Sequence, residues 1–74
     1  MPKVRPRRAV DITTDQLRSS IISGKYSAGE LLPPERTLAE ELGVNRLTLR
    51  AALSRLEAEQ LVVPRQGQGI RVQD

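Results

Sequence analysis

The chain has 74 residues, enough for one small domain, and it contains neither cysteine nor histidine. Without these residue types it has no disulfides, none of the usual zinc ligand sets, and no Cys/His or Ser/His nucleophile pair. The net charge of +3 is unevenly distributed, because residues 1–10 contain four bases and no acid, whereas residues 11–74 contain eight bases and nine acids. A basic segment attracts polyanions, nucleic acid first among them.

Residues 1–10, "MPKVRPRRAV", contain two prolines and show neither helical nor strand periodicity. They predict a flexible basic arm, which either touches a polyanion or only keeps the protein soluble. No apolar run approaches the ~18 residues of a membrane span, and the N-terminus lacks the apolar stretch of a signal peptide. We therefore expect a cytoplasmic protein with one folded domain over residues 11–74.

The segment "DITTDQLRSSIISGKY" predicts the first helix. Leu17 and Ile21 are four residues apart, so one apolar stripe can face a core. Gly24 is a natural C-terminal stop. The candidate N-terminal caps are Asp11, Thr13 and Thr14.

The connector "SAGELLPPER" leads into a short second helix, "ERTLAEELG". Its two leucines, Leu31 and Leu32, predict either a short strand or a plug of the core. Pro34 fits the first position of the helix, where its missing N–H costs nothing, and Gly43 ends the helix. The apolar face of this helix consists of Leu38, Ala39 and Leu42.

A third helix follows the turn "GVN", with Asn45 as its N-cap and an end near Gln60. Arg46 and Arg50 flank its apolar stripe on one side and project together, whereas Leu47 lies away from the core. The stripe itself consists of Leu49, Ala52, Leu53 and Leu56.

The last segment predicts a β-hairpin, with "LVV" and "IRV" as strands and "PRQGQG" as the loop. Pro64 cannot donate a ladder bond and belongs at a strand end or an edge. Helix, helix, tight turn, helix and hairpin form the order of a winged helix-turn-helix. The predicted fold class is therefore mainly α with a small β-hairpin, that is, three helices plus a two-stranded wing.

The start of the third helix carries the functional prediction, because in this motif the N-terminal residues of the second helix of the pair contact base edges in the major groove. Arg46 and Arg50 can bond guanine O6/N7, Asn45 and Thr48 can bond a base or a phosphate, and Leu47 can pack on a thymine methyl. Two bases near a helix N-terminus oppose the helix dipole. This disfavours the alternative that the arginines only form a solvated surface.

Three other functions are weighed against duplex-DNA binding. RNA or single-strand binding is disfavoured because Tyr26, the single aromatic residue, makes a poor stacking platform. A winged-helix protein–protein module remains the alternative, although the arginine pair favours DNA. An enzyme is disfavoured because "GQG" lacks the GK[ST] ending of a phosphate loop. No catalytic residue, metal or cofactor is expected.

Residues 29–72, "GELLPPERTLAEELGVNRLTLRAALSRLEAEQLVVPRQGQGIRV", resemble the DNA-binding domain of GntR-type bacterial transcriptional regulators. With the first helix included, the resemblance covers about residues 11–73. So many spaced matches in one register are highly specific. The matching positions are Gly29, Leu32, Pro33, Glu35, Arg36, Leu38, Ala39, Leu42, Gly43, Val44, Arg46, Thr48, Leu49, Arg50, Ala52, Leu53, Leu56, Glu59, Leu61, Gly67 and Gly69.

The resemblance implies DNA contacts at several positions. Arg36, in the first turn of the second helix, suits a phosphate or a nearby guanine; its alternative is an exposed pair with Glu40, which contributes little to stability. Gly67 permits close backbone approach to DNA or simply serves the turn. Arg65 and Arg71 either bind phosphate or are only solvated. The implied contact residues are Arg36, Arg46, Thr48, Arg50 and the wing tip at Gln66–Gly67.

Three residues depart from the family pattern. Asn45 replaces a Ser or Thr but still caps a helix, and Leu47 is apolar where some relatives carry a polar residue, which alters base preference. Gln60 replaces a Gly, so the turn into the wing is expected to form without a left-handed residue.

The resemblance also implies a homodimer on an inverted-repeat operator, repression released by a small effector, and a C-terminal effector domain that is absent from this chain.

Overall fold

Three helices followed by a two-stranded antiparallel sheet make up the computed structural model, which describes residues 6–65 and 67–73, with side chains from residue 8 onward. This order confirms the predicted fold class. The elements are α1 (Pro6–Ile22), α2 (Glu35–Leu42), α3 (Arg46–Ala58), β1 (Val62–Arg65) and β2 (Gly69–Val72).

Helix α1 begins at Pro6, five residues before the predicted start at Asp11. The prediction of a flexible arm over residues 1–10 is therefore wrong for residues 6–10, and residues 1–5 lie outside the described part of the chain. Proline at the first helical position has its φ already set and loses no hydrogen bond there. The arginines that follow it are good helix formers.

The threonines proposed as N-caps lie inside α1 instead. Thr13 and Thr14 are both buried, and the Thr14 hydroxyl donates a hydrogen bond to the Val10 carbonyl oxygen at 2.7 Å. That bond to the preceding turn lets a polar side chain enter the core without an unsatisfied group. The predicted stop is confirmed: Gly24 has φ +89°, and the Lys25 N–H donates to the Ser20 carbonyl, which closes the helix end.

Helix α3 lies at the centre of the core and packs against α1, α2 and β1. The predicted apolar stripe is confirmed, because Leu49, Ala52 and Leu56 are completely buried and Leu53 nearly so. The other buried apolar side chains are Leu17, Tyr26, Leu32, Leu38, Ala39, Val62 and Val72. The core thus fixes the rotation of α3 about its own axis, and with it the direction of the exposed face.

The connector between α1 and α2 satisfies both predicted alternatives for its leucines. Leu32 is buried, and its N–H donates to the Ile70 carbonyl at 2.8 Å, whereas Leu31 forms an isolated antiparallel bridge with Arg71. Pro34 lies one residue before α2 and not at its first position. Its carbonyl accepts the first helical hydrogen bond, from the Leu38 N–H at 2.9 Å.

The start of α3 agrees with the sequence prediction, whereas the turn after its end does not. Gly43 takes the left-handed conformation after α2, and Asn45 caps α3 as predicted, its Oδ1 accepting from the Thr48 N–H at 2.8 Å. At the other end α3 stops at Ala58, and Gln60 has φ +64°. The expectation that this turn forms without a left-handed residue is therefore wrong; glutamine takes that conformation itself.

The wing is a hairpin whose register pairs Val62 with Val72 and Arg65 with Gly69. Its first strand includes Pro64 and Arg65, which the sequence placed in the loop. Arg71 is half-buried, and its Nη1 donates a hydrogen bond to the Gly29 carbonyl oxygen at 3.0 Å. This bond joins the wing to the connector before α2.

Candidate nucleic-acid interface

The first turns of α3 present an exposed face with two arginines and a leucine. Arg46 and Arg50 project together as predicted, and Leu47 beside them is 76% exposed. Asn45 is exposed as well, while its side chain is engaged in capping the helix. An arrangement of guanidinium groups next to an apolar surface is suited to base edges, which combine acceptor atoms with thymine methyl groups.

Thr48 occupies a different position from its neighbours, since only 9% of its surface is exposed. It lies one residue before Leu49 in the sequence and shares the buried side of α3 with it. Of the five predicted residues at the start of the helix, it is the least accessible to a ligand. The sequence pattern did not show this, because Thr48 lies at the edge of the apolar stripe.

Glu35, at the start of α2, contacts both arginines; it is one of the matching positions of the sequence but was not predicted as a residue of the DNA-binding site. The Arg50 Nε donates a hydrogen bond to Glu35 Oε2 at 2.8 Å, and the Arg46 Nε lies 3.8 Å from Oε1. The bond from Arg50 holds the pKa of the Glu35 carboxyl below its usual value, and the same bond raises the pKa of Arg50. The Glu35 carboxyl and the Arg50 guanidinium are therefore both ionised at neutral pH.

Arg36 also lies in the first turn of α2 and is well exposed. Its Nε is 4.0 Å from Glu40 Oε2, the partner foreseen as the alternative to DNA. At this distance the pair is an ionic contact without a hydrogen bond, and exposed pairs of this kind contribute little. The Arg36 side chain is thus accessible from solvent.

The tip of the wing carries the remaining predicted residues. Arg65 is exposed at the end of β1, and Gly67 follows with φ +75°. A Cβ at Gly67 would meet no atom within 4 Å, so the backbone conformation and not crowding favours glycine there. Gln66 lies outside the described residues.

The part of the chain that the structure describes contains no group of three or more acidic, histidine or cysteine side chains that could hold a metal ion. Among the helices described, none has the length and apolarity needed to cross a membrane.

Comparison with known proteins places this fold in a family. The model of the family described as "Bacterial regulatory proteins, gntR family" matches residues 10–72. The Uxu operon transcriptional regulator of Escherichia coli is 50% identical over 58 residues, which are 78% of this chain and 23% of that protein. The HTH-type transcriptional regulator Mce2R of Mycobacterium tuberculosis is 47% identical over 60 residues, 81% of this chain and 25% of that protein.

Solved structures agree with this assignment. The DNA-binding domain of AraR in complex with operator ORR3 has a TM-score of 0.80 and 30% identity, over 86% of this chain and 77% of that one. The GntR protein of Streptococcus agalactiae has a TM-score of 0.79 and 37% identity, over 88% of this chain and 32% of that one. The chain spans about a quarter of the length of the curated relatives it matches. It therefore belongs to the GntR family of bacterial regulatory proteins, as a winged helix-turn-helix domain of DNA-binding transcriptional regulators and not of enzymes.

Proposed function

We propose that this domain binds duplex DNA sequence-specifically by inserting the N-terminal half of α3 into the major groove. The observation that carries the proposal is the exposed face formed by Arg46, Leu47 and Arg50 at the capped start of the helix. The two arginines contact guanine O6/N7, and Leu47 packs on a thymine methyl. Asn45 adjusts base preference beside them, and Thr48 contributes the small part of its side chain that is exposed.

The remaining contacts position the domain on the duplex. Arg36 binds a phosphate or a nearby guanine, since the first helix of the motif crosses the DNA backbone. Arg65 and Gly67 at the wing tip, with Gln66 between them, approach an adjacent phosphate or groove. Such contacts supply affinity that falls with salt but little sequence preference.

The regulatory context is proposed from the relatives, in which the matched segment is about a quarter of the chain. Residues 11–74 are the DNA-reading domain of a longer cytoplasmic regulator whose C-terminal domain binds a small effector and forms a homodimer. Two copies of the domain then occupy an inverted-repeat operator. The regulator represses transcription and is released by the effector.

A selection from random duplexes, at a stated salt concentration, tests the DNA-reading function. The selected duplex then serves to compare wild type with Arg50→Ala, which should bind it about ten- to a hundredfold more weakly and lose discrimination at one base pair. The control is Arg55→Ala, which removes the same charge from α3 at a position where the guanidinium pairs with Asp11 of α1.

The control variant should retain the base preference of the wild type at every position. Unchanged affinity of Arg50→Ala for the selected duplex would contradict the role of the start of α3. Enrichment of no duplex by the wild type would instead favour a winged-helix module that binds proteins.

A further inference from the structure

Glu35 joins the two helices of the DNA-binding motif at the point where DNA is proposed to bind. Its side chain is 32% exposed, about half the exposure of the Arg46 and Arg50 side chains that it contacts. We propose that Glu35 is a positioning residue that orients Arg50 for base recognition and suppresses binding to nonspecific phosphates. This inference rests on the proposed DNA-binding function and assigns a specificity role within the same site.

The hydrogen bond to Glu35 occupies one of the donors of Arg50. A guanidinium has five N–H donors, and the Nε–H of Arg50 is already used by Glu35 Oε2 at 2.8 Å. The four N–H groups on the two Nη atoms stay available, at the far end of the side chain. Arg50 is therefore oriented for a contact in which its two Nη groups bond guanine O6 and N7. Because the hydrogen bond to Glu35 already restricts its side-chain rotamers, Arg50 loses less conformational entropy on binding.

Arg46 lies close to Glu35 without a hydrogen bond to it. Its Nε lies 3.8 Å from Glu35 Oε1, beyond hydrogen-bonding distance. Glu35 thus acts on Arg46 as a nearby charge and on Arg50 as both a charge and an acceptor. Loss of the carboxylate should change base discrimination at the position contacted by Arg50 more than at the position contacted by Arg46.

The Glu35 carboxylate also changes the balance of charge at the site. Glu35 offsets one of the two positive charges on α3, and a carboxylate repels a phosphate that approaches the same arginines. Nonspecific binding depends on phosphate contacts, whereas base contacts carry sequence preference. A carboxylate at this place therefore lowers nonspecific affinity more than specific affinity, which raises the ratio of the two.

Helix stabilisation alone explains less of the arrangement. A carboxylate in the first turn of α2 interacts favourably with the helix dipole wherever its side chain points. That effect requires neither the hydrogen bond from Arg50 nor the approach of Arg46. A purely structural role would leave the ratio of specific to nonspecific affinity unchanged, and this is what the experiment measures.

The test compares Glu35→Gln and Glu35→Ala with Glu41→Gln and Glu41→Ala, which change an exposed glutamate on the same helix. Glutamine removes the charge but keeps an oxygen that accepts from Arg50, whereas alanine removes both. Binding is measured against the duplex selected by the wild type and against a mixed-sequence duplex of equal length. The Arg50 Nε–H resonance of the free proteins is recorded by NMR and assigned with Arg50→Lys.

We expect Glu35→Ala to lower the specific-to-nonspecific ratio about tenfold and to shift the Arg50 Nε–H resonance. Glu35→Gln should tighten nonspecific binding and keep the ratio within about threefold of the wild type, as a partial rescue. A ratio for Glu35→Ala equal to that for Glu41→Ala, or equal weakening on both duplexes, would overturn the inference. Failure of the wild type to select any duplex would overturn the proposed function itself, and the two failures are thus distinct.

Discussion

Gln60 shows how a single residue can take a conformation that its side chain disfavours. Its φ of +64° is the one positive value among the described residues other than glycine. Its N–H donates to the Glu57 carbonyl oxygen at 2.9 Å. The N–H of the next residue, Leu61, donates to the carbonyl oxygen of Leu56 at 2.9 Å. Two backbone bonds and the packing of the strand that follows hold the turn, so the cost at Gln60 is offset by its neighbours.

Replacing Gln60 with glycine should therefore stabilise the domain. A left-handed residue with a side chain costs ~1–2 kcal/mol, and the greater freedom of glycine in the unfolded chain cancels part of the gain. We expect a net gain of about 1 kcal/mol, seen as a rise in Tm of roughly 4–8 °C by circular dichroism. Gln60→Ala keeps the strain and serves as the control. A Tm of Gln60→Gly at or below that of the wild type would contradict this account.

At the scale of elements, ionic contacts at the surface join α1 to α3 and to Glu59, the residue that follows α3. Arg18 on α1 donates two hydrogen bonds to Glu59, from Nε to Oε1 at 2.9 Å and from Nη2 to Oε2 at 2.5 Å. Arg55 on α3 pairs with Asp11 on α1. The paired bond from Arg18 holds the pKa of the Glu59 carboxyl below its ordinary value of 4.5. Stability from this link therefore depends on pH.

The sign of that dependence follows from the lowered pKa of Glu59. The unfolded chain binds protons at higher pH than the folded one, so the contribution is complete above about pH 4.5 and is lost as pH falls through the folded pKa. Arg18→Gln should lower Tm near neutral pH, and its difference from the wild type should shrink below about pH 4.

Thermal unfolding followed by circular dichroism between about pH 7 and about pH 2.5 measures this difference. Arg8→Gln, which removes a charge from an exposed position of α1, is the matched control and should show no such convergence. A difference between Arg18→Gln and wild type that stays constant with pH would rule out the link to Glu59 as its source.

At the scale of the whole molecule, basic residues are concentrated toward the N-terminus while the rest of the chain is nearly neutral. Since α1 begins at Pro6, two of the four N-terminal bases belong to a helix, and Lys3 and Arg5 precede it. Removing residues 1–8 would therefore cut into α1. Neutralising Lys3 and Arg5 alone changes the charge ahead of the helix without shortening it.

The double variant Lys3→Gln/Arg5→Gln should weaken binding to the selected duplex and to a mixed-sequence duplex by the same factor. Contacts to phosphates release counterions, so the slope of log affinity against log salt should fall by at most about 1.8 for two lost contacts. A salt titration of both duplexes measures this. A loss confined to the selected duplex would mean that these residues contact bases.

Local sequence was sufficient for most of the fold. The apolar stripe of α3, the Asn45 cap, the glycine stops and the hairpin follow from periodicity and turn chemistry within a few residues, and the structure confirms each. The sequence predicted that α1 begins at Asp11, because the prolines and charges near the N-terminus indicated a flexible arm. The helix begins at Pro6 instead, since proline suits the first helical position.

The sequence by itself therefore determined the order of elements, the face that α3 turns to the core and, through its resemblance to a family, the class of function. Only the tertiary structure decided which charges meet. Glu35 contacts Arg50 from 15 residues away and Arg18 contacts Glu59 from 41 residues away, separations that helical periodicity does not relate. These pairs form because packing of the apolar stripes brings α2 and α1 against α3, and the side chains at the edges of that packing then lie within hydrogen-bonding distance.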